Sequence, residues 1–175
     1  MQVKFAMHKL HKLIKYLLKN HKTIATAESV TGGLVAKTFT DVPGSSYWYS
    51  SGVVSYSDEM KHKILGVKTE TLEKYSAVSK ECAKEMAEGV IDAIGADMSI
   101  ATTGYAGPTG EDVGTVFIAF CTLDGGKKVT DVEEMHYPKT LSREQIREKV
   151  TDDAISIAVK KIGIADVKIQ RCQHD

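Results

Sequence analysis

The sequence predicts an α/β fold, a three-layer α/β/α sandwich built on a mixed sheet. Three observations carry that reading. Short β-prone runs alternate with amphipathic helical stretches, the order that parallel sheets require. Two consecutive alternating runs are joined across Asp124-Gly-Gly126, a hairpin that adds antiparallel strands. The chain's 175 residues suffice for one core without disulfide or metal staples. Residues 1–165 are expected to form one domain, followed by a loose polar tail over 166–175.

The elements follow in order. Leu10, Leu13, Ile14, Leu17 and Leu18 recur at helical spacing among lysines, giving an amphipathic first helix. Thr23 to Ala27 reads as a short buried strand that feeds into Ser29, with a helix starting near Thr31. Trp48 to Tyr56 is rich in β-branched and aromatic residues and reads as the second strand. Ser57 caps the next helix, Asp58 and Glu59 suit its first turn, and Gly66 stops it. Thr69 to Tyr75 is a further short helix. Ser79 caps a longer one whose Cys82, Met86, Val90 and Ile94 form a core stripe ending at Gly95.

Met98 to Thr102 is strand-like, and Thr103 to Gly110 holds too many turn formers to be anything but a loop. Gly114–Thr122 and Lys128–His136 are the hairpin strands. Ser142 with Gln145 forms a capping box before a last helix carrying Ile146, Val150, Ala154, Ile157 and Val159.

Composition narrows the function. The 23 basic and 23 acidic side chains cancel, so the chain lacks the positive bias of a nucleic-acid binder. Cys82, Cys121 and Cys172 form no C-x-x-C pair and have no histidine at ligand spacing. They read as reduced thiols in a cytoplasmic protein, with no metal site. The six histidines are scattered through charged segments and are expected at the surface. Lysines interrupt the apolar residues of the N-terminus, which excludes a signal peptide or membrane span there.

Chemistry concentrates between Thr26 and Lys61. Ser29 falls where a strand ends, followed by Thr31, Gly32 and Gly33, whose backbone N–H groups could receive an oxyanion. A serine is activated when a base takes its proton, and a lysine in a low-polarity site can do so. Tyr56 and Lys61 lie at the next strand end and one turn into the following helix. Each also has an ordinary structural explanation: a helix cap, a strand-end tyrosine, a surface lysine. Neither phosphate-binding fingerprint, G-x-x-x-x-G-K-[ST] or G-x-G-x-x-G, occurs, nor S-x-x-K or G-x-S-x-G.

A longer series of motifs adds to this reading. Thr26-Ala-Glu-Ser29, Thr31-Gly-Gly33, Asp41-Val-Pro-Gly-Ser-Ser46, Gly52-Val-Val-Ser-Tyr-Ser57, Lys61, Leu65-Gly-Val67, Ala77-Val-Ser79, Met86-Ala-Glu-Gly89, Thr103-Gly-Tyr-Ala-Gly-Pro108 and Val113-Gly-Thr-Val116 occur in one order. Together they resemble the CinA C-terminal domain family of nicotinamide-nucleotide amidases and competence/damage-inducible proteins. The resemblance implies deamidation of nicotinamide mononucleotide to nicotinate mononucleotide and ammonia by a Ser/Lys mechanism, with no cofactor or metal and a homodimer or larger assembly. It assigns Ser29 as nucleophile, Lys61 as base and Tyr56 as orienting or relaying group. Ser46 and Thr103 become polar pocket positions, with Ser46 a second candidate nucleophile. Thr31, Gly32, Gly33, Ser45, Gly104, Gly107 and Arg143 become substrate contacts, the arginine for the phosphate.

Two departures from the family pattern stand out. Val30 replaces a frequent cysteine, and the Gly107–Gly114 loop is shorter than usual. The chain resembles the stand-alone form, without the molybdopterin-binding-like domain of two-domain members. The short loop leaves two alternatives open: a catalytically inactive nucleotide-binding regulator, or a Ser/Lys hydrolase of another small carboxamide.

Overall fold

A computed structural model describes the backbone of residues 2–172 and the side chains of residues 7–163. Five strands form one sheet: β1 (Ile24–Glu28), β2 (Tyr49–Val54), β3 (Met98–Gly104), β4 (Thr115–Asp124) and β5 (Lys127–His136). Their spatial order is β2-β1-β3-β4-β5. β1 runs parallel to both β2 and β3, while β4 and β5 are antiparallel to their neighbours, so the sheet is mixed as expected. The helices are α1 (Gln2–Lys19), α2 (Leu34–Thr40), α3 (Asp58–Leu65), α4 (Thr69–Tyr75), α5 (Lys80–Ile94) and α6 (Arg143–Cys172).

Side-chain size differs sharply between the two faces of the sheet. On one face Ile24, Ile100, Ile118 and Phe120 pack with Leu10, Leu13 and Leu17 of α1, Phe39 of α2 and Ile146 and Val150 of α6. Fully burying each large side chain contributes about 1.5–3 kcal/mol. The opposite face presents Ala25, Ala27, Ala101 and Ala119 to Cys82, Ala83, Met86, Ala87 and Val90 of α5. Alanines there let α5 lie close enough for the Ser99 hydroxyl to donate to the Ala87 carbonyl at 2.6 Å. α3 crosses α5 equally closely at Gly89, where an added Cβ would lie 1.8 Å from the Leu65 carbonyl oxygen.

The local punctuation read from the sequence is in place. Ser57 accepts from the Met60 N–H at 3.3 Å and Ser79 from the Cys82 N–H at 3.1 Å. Gly66 and Gly95 close their helices in the left-handed conformation. Ser142 and Gln145 exchange both bonds of the capping box, at 2.8 and 3.2 Å.

Several boundaries differ. The second strand begins at Tyr49 rather than Trp48, because Ser45–Tyr47 form a 3₁₀ turn and Trp48 drops into the core, edge-on to Phe39 at 5.3 Å. α2 begins at Leu34 rather than near Thr31, since Thr31–Gly33 turn first and Gly33 takes φ 95°. α6 runs through Cys172, so the tail expected to be loose from residue 166 is helical that far; neither a proline nor a turn signal stops it at Gly163. Residues 173–175, His174 included, lie outside the described residues; the other five histidines are exposed, as expected.

Candidate functional site

Parallel strands end together, and the loops leaving them share one edge of the sheet. Glu28 pairs with Val54 on one side and Thr102 on the other, so the chain segments beginning at Ser29, Ser55 and Thr103 emerge side by side. Between them lies a cavity of about 280 Å³ lined by Ser29, Tyr56, Asp58, Lys61, Thr103 and Arg143, with Gly104 and Gly107 on its wall. That size falls near the low end for small-molecule sites, about 300–1,000 Å³.

Lys61 is 2 % exposed, and its amine lies 3.7 Å from the Asp58 carboxylate, one turn earlier in α3. The helix starts directly after β2, so its fourth residue turns back under the strand ends. Ser29 is buried to 9 % exposure and its N–H is anchored on the Thr102 carbonyl at 2.9 Å. No direct hydrogen bond joins the serine hydroxyl and the lysine amine among the described residues. Both line the same small cavity, open for a reactant to bridge.

Cys82 is a further nucleophile within the electrostatic reach of Lys61. Burial pushes its thiol up to about 12, against the opposing pull of Lys61, so it stays protonated at neutral pH.

Tyr56 stands at the pocket mouth, 59 % exposed, with its hydroxyl bonded by Arg143 at 2.7 Å. The same guanidinium donates to the Gly107 carbonyl at 2.7 Å, so Arg143 bridges the two sides of the mouth. Thr103 is buried, and its hydroxyl proton is committed to the Ala77 carbonyl at 2.7 Å. It holds the loop before α5 against the pocket and leaves only oxygen lone pairs to offer.

Other expected site residues lie elsewhere. β2 runs parallel to β1, so the Ser45–Tyr47 turn before it sits at the opposite edge of the sheet from Ser29. Ser45 and Ser46 are therefore absent from the cavity wall, and Ser46 cannot serve Lys61 within this chain. Thr31, Gly32 and Gly33 also fall outside the wall. The Thr31 hydroxyl donates to Glu28 at 2.6 Å, the Gly33 N–H to Glu28 at 3.0 Å, and the Gly32 N–H to the Ser29 carbonyl at 3.1 Å. The glycine amides expected to hold an oxyanion are already paired.

Their main acceptor, Glu28, was not among the sequence candidates. It is fully buried and takes four donors: Thr31 Oγ1, and the N–H groups of Gly33, Val35 and Ala36, the last two at 3.1 and 2.8 Å. The carboxylate thereby caps α2 from within. An acid ending an otherwise uncharged five-residue strand was the available signal. From α6, Arg147 clamps the same turn, donating to the Thr31 carbonyl through Nη2 at 2.7 Å. Asp58 was legible only as an acid suited to the first turn of its helix, not as the partner of Lys61. No cluster of metal-binding side chains occurs among the described residues.

A mixed-sheet α/β domain with serine, lysine and arginine converging at the ends of its parallel strands is thus defined by fold and site together. The chain belongs to the CinA C-terminal domain family, whose model matches residues 7–162. It is 49 % identical over 130 residues to a CinA-like protein of Leptospira borgpetersenii, covering 72 % of this chain and 30 % of that protein. It is 43 % identical over 152 residues to a CinA-like protein of Endomicrobium trichonymphae, covering 85 % and 34 %. The chain thus matches about a third of the length of these relatives. Among solved structures, the competence damage-inducible protein A of Klebsiella pneumoniae superposes with TM-score 0.83 at 32 % identity, covering 90 % of this chain and 97 % of that one. The competence/damage-inducible protein CihA of Agrobacterium tumefaciens gives 0.82 at 34 %, covering 89 % and 95 %.

Proposed function

We propose that the protein is a Ser/Lys amidohydrolase that removes the carboxamide nitrogen of nicotinamide mononucleotide as ammonia, leaving nicotinate mononucleotide. The observation that supports this best is the presence of Ser29 and the buried Lys61 in one cavity, beside an arginine at its mouth.

The steps follow acyl-transfer chemistry. Lys61, as the free amine, takes the Ser29 proton while Oγ bonds to the carboxamide carbon and the carbonyl pair moves onto oxygen. Collapse of the tetrahedral intermediate breaks the C–N bond, and the nitrogen leaves as ammonia with the proton from Lys61. Lys61 then deprotonates a water that attacks the acyl-enzyme, and the proton returns to Ser29 as the acid is released. Arg143 uses two of its five N–H donors on Tyr56 and Gly107, so three are left for a phosphate at the mouth.

Ammonia release from nicotinamide mononucleotide by the purified protein tests the reading. Ser29→Ala and Lys61→Ala should each lose at least about 10²-fold in kcat, the lower range for a positioned base. Ser46→Ala should remain active. Turnover surviving in both variants would remove the mechanism. Calorimetric binding without turnover would point to a nucleotide-binding regulator, and turnover of other carboxamides alone would change the substrate.

A further inference from the structure

We infer that the oxyanion site is formed by the backbone N–H groups of Val30, in the turn that leaves β1, and Gly104, at the end of the adjacent strand β3. The inference rests on the Ser/Lys hydrolase reading above and adds the electrophilic half of that site. Such a hydrolase needs donors aimed at the oxygen that becomes negative, and losing one typically costs about 10²–10³ in kcat. The donors have to be unspent in the resting protein. The hydrogen-bond accounting of the pocket decides which ones are.

The α2 N-terminus, the obvious source, is already used. Gly33, Val35 and Ala36 donate to Glu28, Gly32 to the Ser29 carbonyl, and Leu34 to the Thr31 carbonyl at 3.3 Å. An internal carboxylate fills the place an external anion would take. Val30, which follows the nucleophile and lines the cavity, has an N–H with no acceptor among the described residues.

Gly104 supplies the second donor, because the parallel ladder is interrupted there. Along a strand, successive residues direct their N–H and C=O groups to alternate neighbours. Thr102 faces β1, since its carbonyl accepts the Ser29 N–H at 2.9 Å; Tyr105 faces β4, donating to the Thr115 carbonyl at 2.9 Å. Gly104 therefore faces the β1 side. A continued ladder would seat its N–H on the Ser29 carbonyl. The chain instead turns at Ser29, whose carbonyl takes the Gly32 N–H, and the Gly104 N–H, on the cavity wall, is left without an acceptor among the described residues.

Two unspent amides thus bracket the nucleophile, one next to it in sequence and one next to it across the ladder. Hydrolases of the strand–nucleophile–helix type also use the N–H of the residue after the nucleophile together with one from a separate segment. Thr103 is excluded as a donor, since its hydroxyl proton is held by Ala77. Ala77, Ala106 and Gly107 also line the cavity, but none adjoins Ser29 in sequence or in ladder register.

Pyridine-3-boronic acid tests this directly. Ser29 Oγ bonds to the trigonal boron, the Ser29 proton passes to Lys61, and the resulting anionic tetrahedral boronate carries hydroxyls where the oxyanion would stand. Boron NMR of the wild-type protein and Ser29→Ala establishes whether the adduct forms on Ser29. In the adduct of ¹⁵N-labelled full-length protein, the Val30 and Gly104 amide protons should show the largest downfield shifts. The Gly33, Val35 and Ala36 amides should stay near their resting positions. An adduct on Ser29 with unmoved Val30 and Gly104, or with the large shifts at Gly33, Ala106 or Gly107, overturns the assignment while leaving the hydrolase reading intact. Failure to form any Ser29 adduct at saturating boronate overturns both.

Discussion

Replacing Glu28 by glutamine removes one charge at nearly constant shape. In the native protein Oε2 accepts from Thr31, Gly33 and Val35, and Oε1 accepts from Ala36. Glutamine has one acceptor oxygen. Placed at the Oε2 position it keeps three bonds, now neutral, and sets its NH₂ against the Ala36 N–H. An unsatisfied buried donor costs about 1–3 kcal/mol, and each bond that loses charge assistance weakens by about 1 kcal/mol. Relief from burying a carboxylate offsets part of that sum, because desolvating an ion costs several kcal/mol. The expected net loss is about 2–4 kcal/mol. For a domain of this size that lowers Tm by about 5–15 °C. Urea unfolding followed by circular dichroism should show a lower midpoint with an unchanged slope. A loss below about 1 kcal/mol would mean that Glu28 is not the anionic cap of α2.

Two further outcomes follow from the packing and the charges. Gly89→Ala adds a methyl against the Leu65 carbonyl; overpacking costs about 1–3 kcal/mol, offset by about 1 kcal/mol of helix propensity. Since Leu65 and Lys61 share α3, thermal stability and ammonia release should fall together, and wild-type values for both would show that the α3–α5 crossing yields freely. For Asp97, burial alone would raise the carboxyl, but the Thr23 N–H, Lys22 and the Thr23 hydroxyl, at 2.8, 3.1 and 3.2 Å, together hold it below its usual range. A depressed carboxylate contributes stability above its unfolded value of about 3.9, and that contribution is lost as pH falls through the folded value. Asp97→Asn should therefore be less stable than wild type at neutral pH and converge with it in acid; a gap independent of pH would contradict the assignment.

Local signals were legible where their physics is local. The Ser57, Ser79 and Ser142 caps and the glycine stops at Gly66 and Gly95 act within a few residues, and all are present. Ser29, Lys61, Thr103 and Arg143, each singled out in the sequence, line one cavity. Three-dimensional accounting was not legible. Whether the Gly33 amide is free depends on Glu28 turning inward, and whether the Gly32 amide is free depends on the turn at Ser29, neither of which the pattern of a five-residue strand reveals. Ser46 lies only seventeen positions from Ser29, yet the parallel crossover carries it to the far edge of the sheet. The tie from Arg147 to Thr31 spans 116 residues and has no local signature.

The alanine-lined face of the sheet also sets where this chain can accept new sequence. On the α1 and α6 side, large flexible residues can exchange volume with one another, so paired substitutions there can restore a filled interior. Against α5 there is no slack to trade: Ala25, Ala27, Ala101 and Ala119 have almost nothing left to shed, and any added methylene meets a neighbouring helix. Efforts to alter what the pocket accepts should therefore diversify the exposed rim at Tyr105 and Thr109 and leave the floor beneath it unchanged.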